Sequence, residues 1–366
     1  MNKTVVPLMG TELAEYKTYL LTQPKRRFER WSVTASAPAK VILFGEHFVV
    51  YRVPAIVSAI NLRAKAYTRF RNDKKVYVVS YDLKNAGYFK ILPNGKLSSI
   101  TVVRGGSRTI EELEPFRIVV EKVFELSGVT HGLDLKIKSA IPISAGLGSS
   151  AAVVTASSAA VGELLGLNLD NEEIFKIALE AEKFVHVNPS GVDPAISTYG
   201  GLVYFRRGDE KNVVKKLNSS SNLPLVIGDT GVRRPTGAMV SAVRRLKEKY
   251  THIIEQIIEL GEYIAVNALR ALKVGDLRTL GGLMNINHGL LSAVGVSNEA
   301  LDRLVHSARE AGAYGAKLTG AGGGGCMIAL TPKSRMEDVA RAIMEAGGTP
   351  FTADISYEGV KIEGED

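Results

Sequence analysis

The chain has 366 residues, 45% of them apolar and 23% charged, with a formal charge of +8 and a pI near 9.3. That length exceeds the roughly 250–300 residues at which a single core stops growing and so favours two domains, while no apolar run nears the roughly 18 residues of a membrane helix. Cys326 is the only cysteine, which excludes an internal disulfide framework and any multi-cysteine zinc site.

The N-terminal MNKTVVPLMGTELAEY has no apolar core of signal-peptide length and carries early acids, so a cytoplasmic protein is expected. Net positive charge admits either a nucleic-acid binder or an enzyme that handles anions. Most Lys and Arg residues are scattered through amphipathic segments, and the one dense cluster, KRRFER at 25 to 30, lies in a leader ending near Trp31. This distribution argues against nucleic acid as the partner.

In chain order, short β-like runs follow the leader: VILF, AIVSAINLRAKAYTRF (55 to 70), VYVVS (76 to 80) and YFKIL (88 to 92), with turn residues such as Asn94-Gly95 between them. The pattern from Thr109 to Leu126 predicts a helix with acids in its first turn, and LDLKIKSAIPI predicts an alternating strand. The helix opening at the serines of GLGSSAAVVTASSAAVGELLG is small and apolar all round, so it is expected to be buried on every side. A second helix over 171 to 186 leads to NPSGVDPAISTYGG, and the Ser-Asn run at 218 to 222 marks the best boundary. Beyond it come the strand LPLVIGDT, helices from about 236 to 311, and a closing strand, glycine turn, strand, helix and strand. That order fits an α+β domain with helices on an antiparallel sheet.

Three constellations carry chemistry. PISAGLGSSAA (142 to 152) places Gly146, Gly148, Ser149 and Ser150 between a strand and a helix start, where unpaired N–H groups and the helix dipole suit a phosphate. Serine side chains there can also meet a hard cation. No Lys follows the second glycine, so it is not a Walker A loop. Gly146, Gly148 and Ala151 with Asp170 also satisfy a loose dinucleotide fingerprint, and a plain serine-capped turn is the third reading.

NPSGVDPAIS (188 to 197) sets Asp193 between Pro189 and Pro194, as an ordinary helix start also would. Glu182 and His186 share a helix face, but no third ligand accompanies them, so a single carboxylate near a serine-bound Mg²⁺ fits better than zinc. KLTGAGGGGC (317 to 326) puts five glycines into positions 320 to 325, more than a structural hairpin needs and suited to a ligand-facing loop.

SAPAKVILFGEHFVVYRVPAIVSAINLRA (36 to 64), PISAGLGSSAA and KLTGAGGGGCMI, with NPSGVDPAISTYGG between the last two, together resemble the GHMP kinase family from about Ser36 onward. Within that family they resemble the branch that phosphorylates the 5-hydroxyl of mevalonate; the alternative is another small-molecule kinase acting on phosphomevalonate, a sugar or homoserine. Galactokinases usually follow Gly-Glu-His with Thr-Asp-Tyr, where this chain has Phe48-Val49-Val50.

The resemblance implies an α+β, two-lobed GHMP kinase fold: an N-terminal lobe with a left-handed β-α-β unit and a C-terminal ferredoxin-like lobe, often as a homodimer. Residues 1–32 would be an extension, 33–220 the ATP-binding domain and 221–366 the C-terminal domain. It further implies ATP and Mg²⁺ as cofactors, with Asp193 and Lys40 catalytic. The phosphate loop would comprise Pro142, Ile143, Ser144, Ala145, Gly146, Leu147, Gly148, Ser149, Ser150 and Ala151. Ser150 and Glu182 would hold the metal, and Glu46, His47, Thr236, Gly320, Ala321 and Gly322 would bind the alcohol. One departure is Ala39, where the family commonly has Gly before the Lys.

Overall fold

The computed structural model describes residues 31–143, 145–185, 191–208, 212–218 and 222–364. Most of the leader, Ser144, His186 and the 188–190 part of the Asp193 motif lie outside the described residues.

The first lobe is built on two long antiparallel strands, β1 (Val33–Phe44) and β2 (Ala55–Phe70). Their register shifts at Pro38/Ala39, where proline has no N–H to give the ladder, and again at Ile42/Phe44. Further strands are β3 (Lys75–Ser80), β4 (Asn85–Lys90), β5 (Thr101–Arg104), β6 (Leu133–Ser139), β7 (Leu202–Arg206) and β8 (Val213–Leu217). With the C-terminal β13 (Lys361–Ile362), the sheet order is β13-β1-β2-β6-β3-β4-β5, and β7 pairs with the first half of β2 and with β8. Among these pairs only β3 with β6 is parallel. They are connected through β4, β5 and the helix α1 (Thr109–Ser127), the β-α-β element of the lobe.

Helices α2 (Ser149–Leu164) and α3 (Asn171–Val185) complete the layer, followed by the short α4 (Val192–Tyr199). As expected, α2 is buried almost all round, with Val154, Ala156 and Ala160 meeting Ala35, Ala37, Ala66 and Leu135 of the sheet. Two of its buried hydroxyls are satisfied within the helix: Ser157 and Ser158 donate to the carbonyls of Val153 and Val154 at 2.7 and 2.9 Å.

The second lobe contains β9 (Leu225–Asp229), helices α5 (Thr236–Lys249), α6 (Thr251–Val274), α7 (Leu277–Ala293) and α8 (Glu299–Glu310), then β10 (Gly315–Leu318), β11 (Cys326–Leu330), α9 (Met336–Glu345) and β12 (Thr349–Ala353). The sheet order β10-β11-β9-β12, antiparallel throughout, with α8 and α9 as crossovers, is the ferredoxin-like arrangement. Strand alternation divides its two faces. Val226, Met327 and Ala329 meet the α8 and α9 side, whereas Leu225, Ile227, Cys326, Ile328 and Leu330 share a core with Ala39, Val41, Leu43, Ile56 and Ile60 of the first lobe.

The lobes therefore pack through a continuous apolar seam beside β1. The C-terminal segment also returns across it, since Ile355 bridges Ile60 and β13 pairs with β1. The seam places the start of the site between the two sheets.

Candidate active site

The site grows from β1. Lys40 lies within this strand, and its backbone N–H donates to the Leu147 carbonyl at 2.9 Å, joining the strand to the 145–148 loop. Gly148, at φ +73°, is the N-cap of α2, and a Cβ there would sit 2.8 Å from Cγ of Lys40. Absence of that methyl lets the lysine stem pass directly beneath the loop. Its Nζ reaches Asp193 Oδ1 at 3.3 Å, with the lysine buried and the carboxylate partly open. Asp193 occupies the first turn of α4. The two groups expected to be catalytic are therefore an ion pair.

Glu182 on α3 lies close enough for both members of that pair to act on it. Burial first, then the negative charge of Asp193, pushes its carboxyl pKa up to about 8, with Lys40 opposing the shift. Its Oε2 is buried and has no hydrogen-bond partner among the described residues. An orphaned carboxylate oxygen of this kind, beside the Lys40–Asp193 pair, suits a hard divalent ion that also keeps water and phosphate ligands, although Glu182 itself is not on the wall of the cavity that Ser149 and Ser150 line. Among the described residues no group of three His, Cys, Asp or Glu could hold a metal ion by itself.

From the second lobe, Thr319 ties to β1: Ile42 N–H donates to its Oγ1 at 2.9 Å, and that hydroxyl lies 3.1 Å from the Ile42 carbonyl. His47 Nε2 lies 2.8 Å from the Ala321 carbonyl, so the ring donates from Nε2, and burial lowers its pKa and favours the neutral form. Gly320 and Gly325 pack against the backbone of Gly146 and Ala145, where a Cβ would approach those carbonyl oxygens to 3.2 and 3.0 Å. The two glycine loops thus meet back to back.

Between them opens a cavity of about 820 Å³. Its wall gathers Lys40, Glu46, His47, Pro142, Ile143, the 145–150 loop, Asp193, Thr236, Gly320 and Ala321. Ala151 and Gly322 are not on this wall; Ala151 is buried in the helix, and a Cβ on Gly322 would point into the Val296 carbonyl. Ser144 lies outside the described residues.

Glu46 requires a correction. It borders the cavity, but its carboxylate turns into the seam, where it pairs with Lys317, and both side chains have no exposure. Asn287 Nδ2 donates to its Oε2 at 3.2 Å. Two donors from the second lobe hold the acid, so its oxygens do not face an alcohol as the sequence reading expected. The dinucleotide reading fails for a similar local reason. Asp170 and Glu173 exchange backbone-to-carboxylate hydrogen bonds of 2.9 Å, a capping box that starts α3.

Sequence reasoning missed Lys317 and Asn287, although Lys317 opens the KLTG motif itself. It also missed Arg234, which lines the cavity beside Thr236. Neighbouring Arg233 is held bidentate by Asp229 at 2.6 Å to each oxygen, which fixes the segment that carries Arg234.

A family model described as GHMP kinases N terminal domain matches residues 114–201, and one described as GHMP kinases C terminal matches residues 268–348. A mevalonate kinase of Pyrococcus horikoshii is 43% identical over 336 residues, covering 90% of this chain and 98% of the relative. Among solved structures, the L. major mevalonate kinase in complex with R-mevalonate superposes with a TM-score of 0.73 at 29% identity, over 88% of this chain and 95% of that one. The Methanococcus jannaschii mevalonate kinase gives 0.75 at 25% identity, over 89% and 99%.

Proposed function

On the premise that the chain belongs to the GHMP kinase family, we propose that it transfers the γ-phosphoryl group of ATP to the 5-hydroxyl of mevalonate, giving 5-phosphomevalonate and ADP in isoprenoid biosynthesis. The observation that carries this reading is the Lys40–Asp193 pair at 3.3 Å beneath a glycine loop that opens a helix, on the wall of a cavity large enough for both substrates.

Phosphoryl transfer asks the protein for positioning and electrostatics more than for covalent chemistry. The N–H groups at the start of α2, with the glycines before them, cradle the phosphates. Asp193 accepts the proton of the attacking hydroxyl. Lys40 lowers the pKa of that hydroxyl and offsets charge on the transferring group. Ser150 and Glu182 would hold Mg²⁺, which when bound supplies charge neutralisation on the phosphates.

His47 and Thr236 contact the alcohol substrate, and Gly320 with Ala321 brings the second loop close to it. Arg234 has no carboxylate partner among the described residues and faces the same cavity, which supports it as the receptor for the carboxylate of mevalonate. The division into an extension (1–32) and domains at 33–220 and 221–366 belongs to the same proposal, as does a cytoplasmic location. Homodimer assembly does too, supported by exposed Ile253, Leu260 and Tyr263 on α6 and Ile286 on α7.

The test is ADP release from ATP with mevalonate, phosphomevalonate, galactose and homoserine as separate acceptors. Turnover with mevalonate well above the other three is the expected result. A response to galactose or homoserine alone would overturn the substrate assignment and leave only the kinase chemistry.

A further inference from the structure

The seam between the lobes contains an ion pair that the chemistry just described does not use. Lys317, on β10, is fully buried and donates to the Glu46 carboxylate and, at 2.7 Å, to the Leu318 carbonyl. Asn287, buried on α7, gives Glu46 its second bond at 3.2 Å. Glu46 in turn sits between Gly45 and His47. Gly45 has φ +97°, and a Cβ there would lie 2.5 Å from the Pro54 carbonyl, so the turn cannot relax by changing residue.

Stability alone does not call for a buried ion pair here. Desolvating two charges costs about as much as their attraction returns, and replacing such pairs by apolar groups of similar volume is often neutral or better. Direction is what the pair offers. The side-chain ties shown from this turn to the second lobe are those of Glu46 to Lys317 and Asn287 and of His47 to Ala321. One tie is hidden in the seam and the other is on the cavity wall, one residue apart.

We propose that Lys317 is a positioning residue for the phosphoryl acceptor, locking the Gly45–His47 turn of the first lobe onto the second through Glu46 and so fixing where His47 meets the alcohol. The assignment rests on the functional reading above, because it presumes that His47 touches the acceptor. Lys317 does not reach the reacting atoms. It acts through two residues, and it does so across the lobe boundary.

Lys317→Met alone strands a buried carboxylate and is expected to fold poorly. The informative protein is the neutral double variant Lys317→Met/Glu46→Gln, which removes both charges of this pair together. Three measurements are made on it and on the wild type: thermal melting, hydrogen–deuterium exchange of the peptide covering residues 41–53, and KM for mevalonate and for ATP.

The expected result is near-wild-type melting, faster exchange in that peptide, and a KM for mevalonate raised about tenfold or more with the KM for ATP unchanged, the size of effect a small misplacement produces. A double variant with wild-type exchange and wild-type KM values for both substrates refutes the proposal, because the pair then serves only stability. A wild-type enzyme that does not turn over mevalonate refutes the functional reading instead; faster exchange in the double variant would still support the lock between the lobes.

Discussion

Replacing Gly148 by alanine probes the contact on which the chemistry depends. The residue has φ +73°, and the new Cβ would lie 2.8 Å from Cγ and 3.2 Å from Cε of Lys40. Carbon atoms pack best at about 3.5–4.0 Å, so the lysine stem must retreat by roughly 0.7–1.2 Å. Lys40 is only 5% exposed and its Nζ is engaged by Asp193 at 3.3 Å, so the stem cannot move without disturbing the pair.

Two costs are expected: about 1–2 kcal/mol for an L-residue in the left-handed region, and about 1–3 kcal/mol for overpacking. Gly166 separates them. It has the same φ of +73°, and a Cβ there would meet nothing within 4 Å. Gly166→Ala should therefore lose only the backbone part and keep full turnover, whereas Gly148→Ala should lose more stability and about 10–100-fold in kcat. The assays are urea denaturation and steady-state ADP release at saturating ATP and mevalonate. If Gly148→Ala matches Gly166→Ala in both, the loop does not set the position of Lys40, and the reasoning fails.

Asp193→Asn should reduce kcat by about 10²–10⁴ while ATP affinity, read by nucleotide titration, stays near that of the wild type. Arg234→Gln should raise the KM for mevalonate by roughly tenfold with kcat and the KM for ATP unchanged, since it removes binding shared by ground and transition states. Glu182 predicts a pH effect in the metal-free protein. Its folded pKa, about 8, lies above the ordinary 4.5, so the native state retains a proton that the unfolded chain releases. Stability should then fall as pH rises from about 5 to about 8, and Glu182→Gln should flatten that slope in melts run with a chelator.

Much of this site was legible because local chemistry marks it. Gly146, Gly148 and the serines after them mark a helix start facing a ligand, and the continuous apolar runs LPLVIG and CMIAL mark two strands of the second sheet, buried at every position of Leu225–Asp229 and Cys326–Leu330. The capping role of Asp170 was also written locally, as Asp170 and Glu173 three residues apart, but the looser dinucleotide spacing competed with it. Lys317 and Asn287 were not legible, because their partner Glu46 is 271 and 241 residues away and only the seam brings them together.

Glu46 was misjudged for the same reason. A carboxylate after a glycine turn looks solvent- or ligand-facing until a buried lysine from the other lobe is known. The short β5 and β13 carry little pattern of their own and exist as strands through pairing with β4 and β1. The return of the C-terminal segment to the first sheet likewise depends on tertiary pairing rather than on a local signal.

The central claim, phosphoryl transfer to the primary 5-hydroxyl, is tested most directly by proton-coupled ³¹P NMR of the product formed from ATP and mevalonate. The account predicts a phosphomonoester resonance split into a triplet by the two hydrogens of the adjacent CH₂. A singlet, marking phosphorylation of the tertiary alcohol, or release of inorganic phosphate with no new ester, would contradict it.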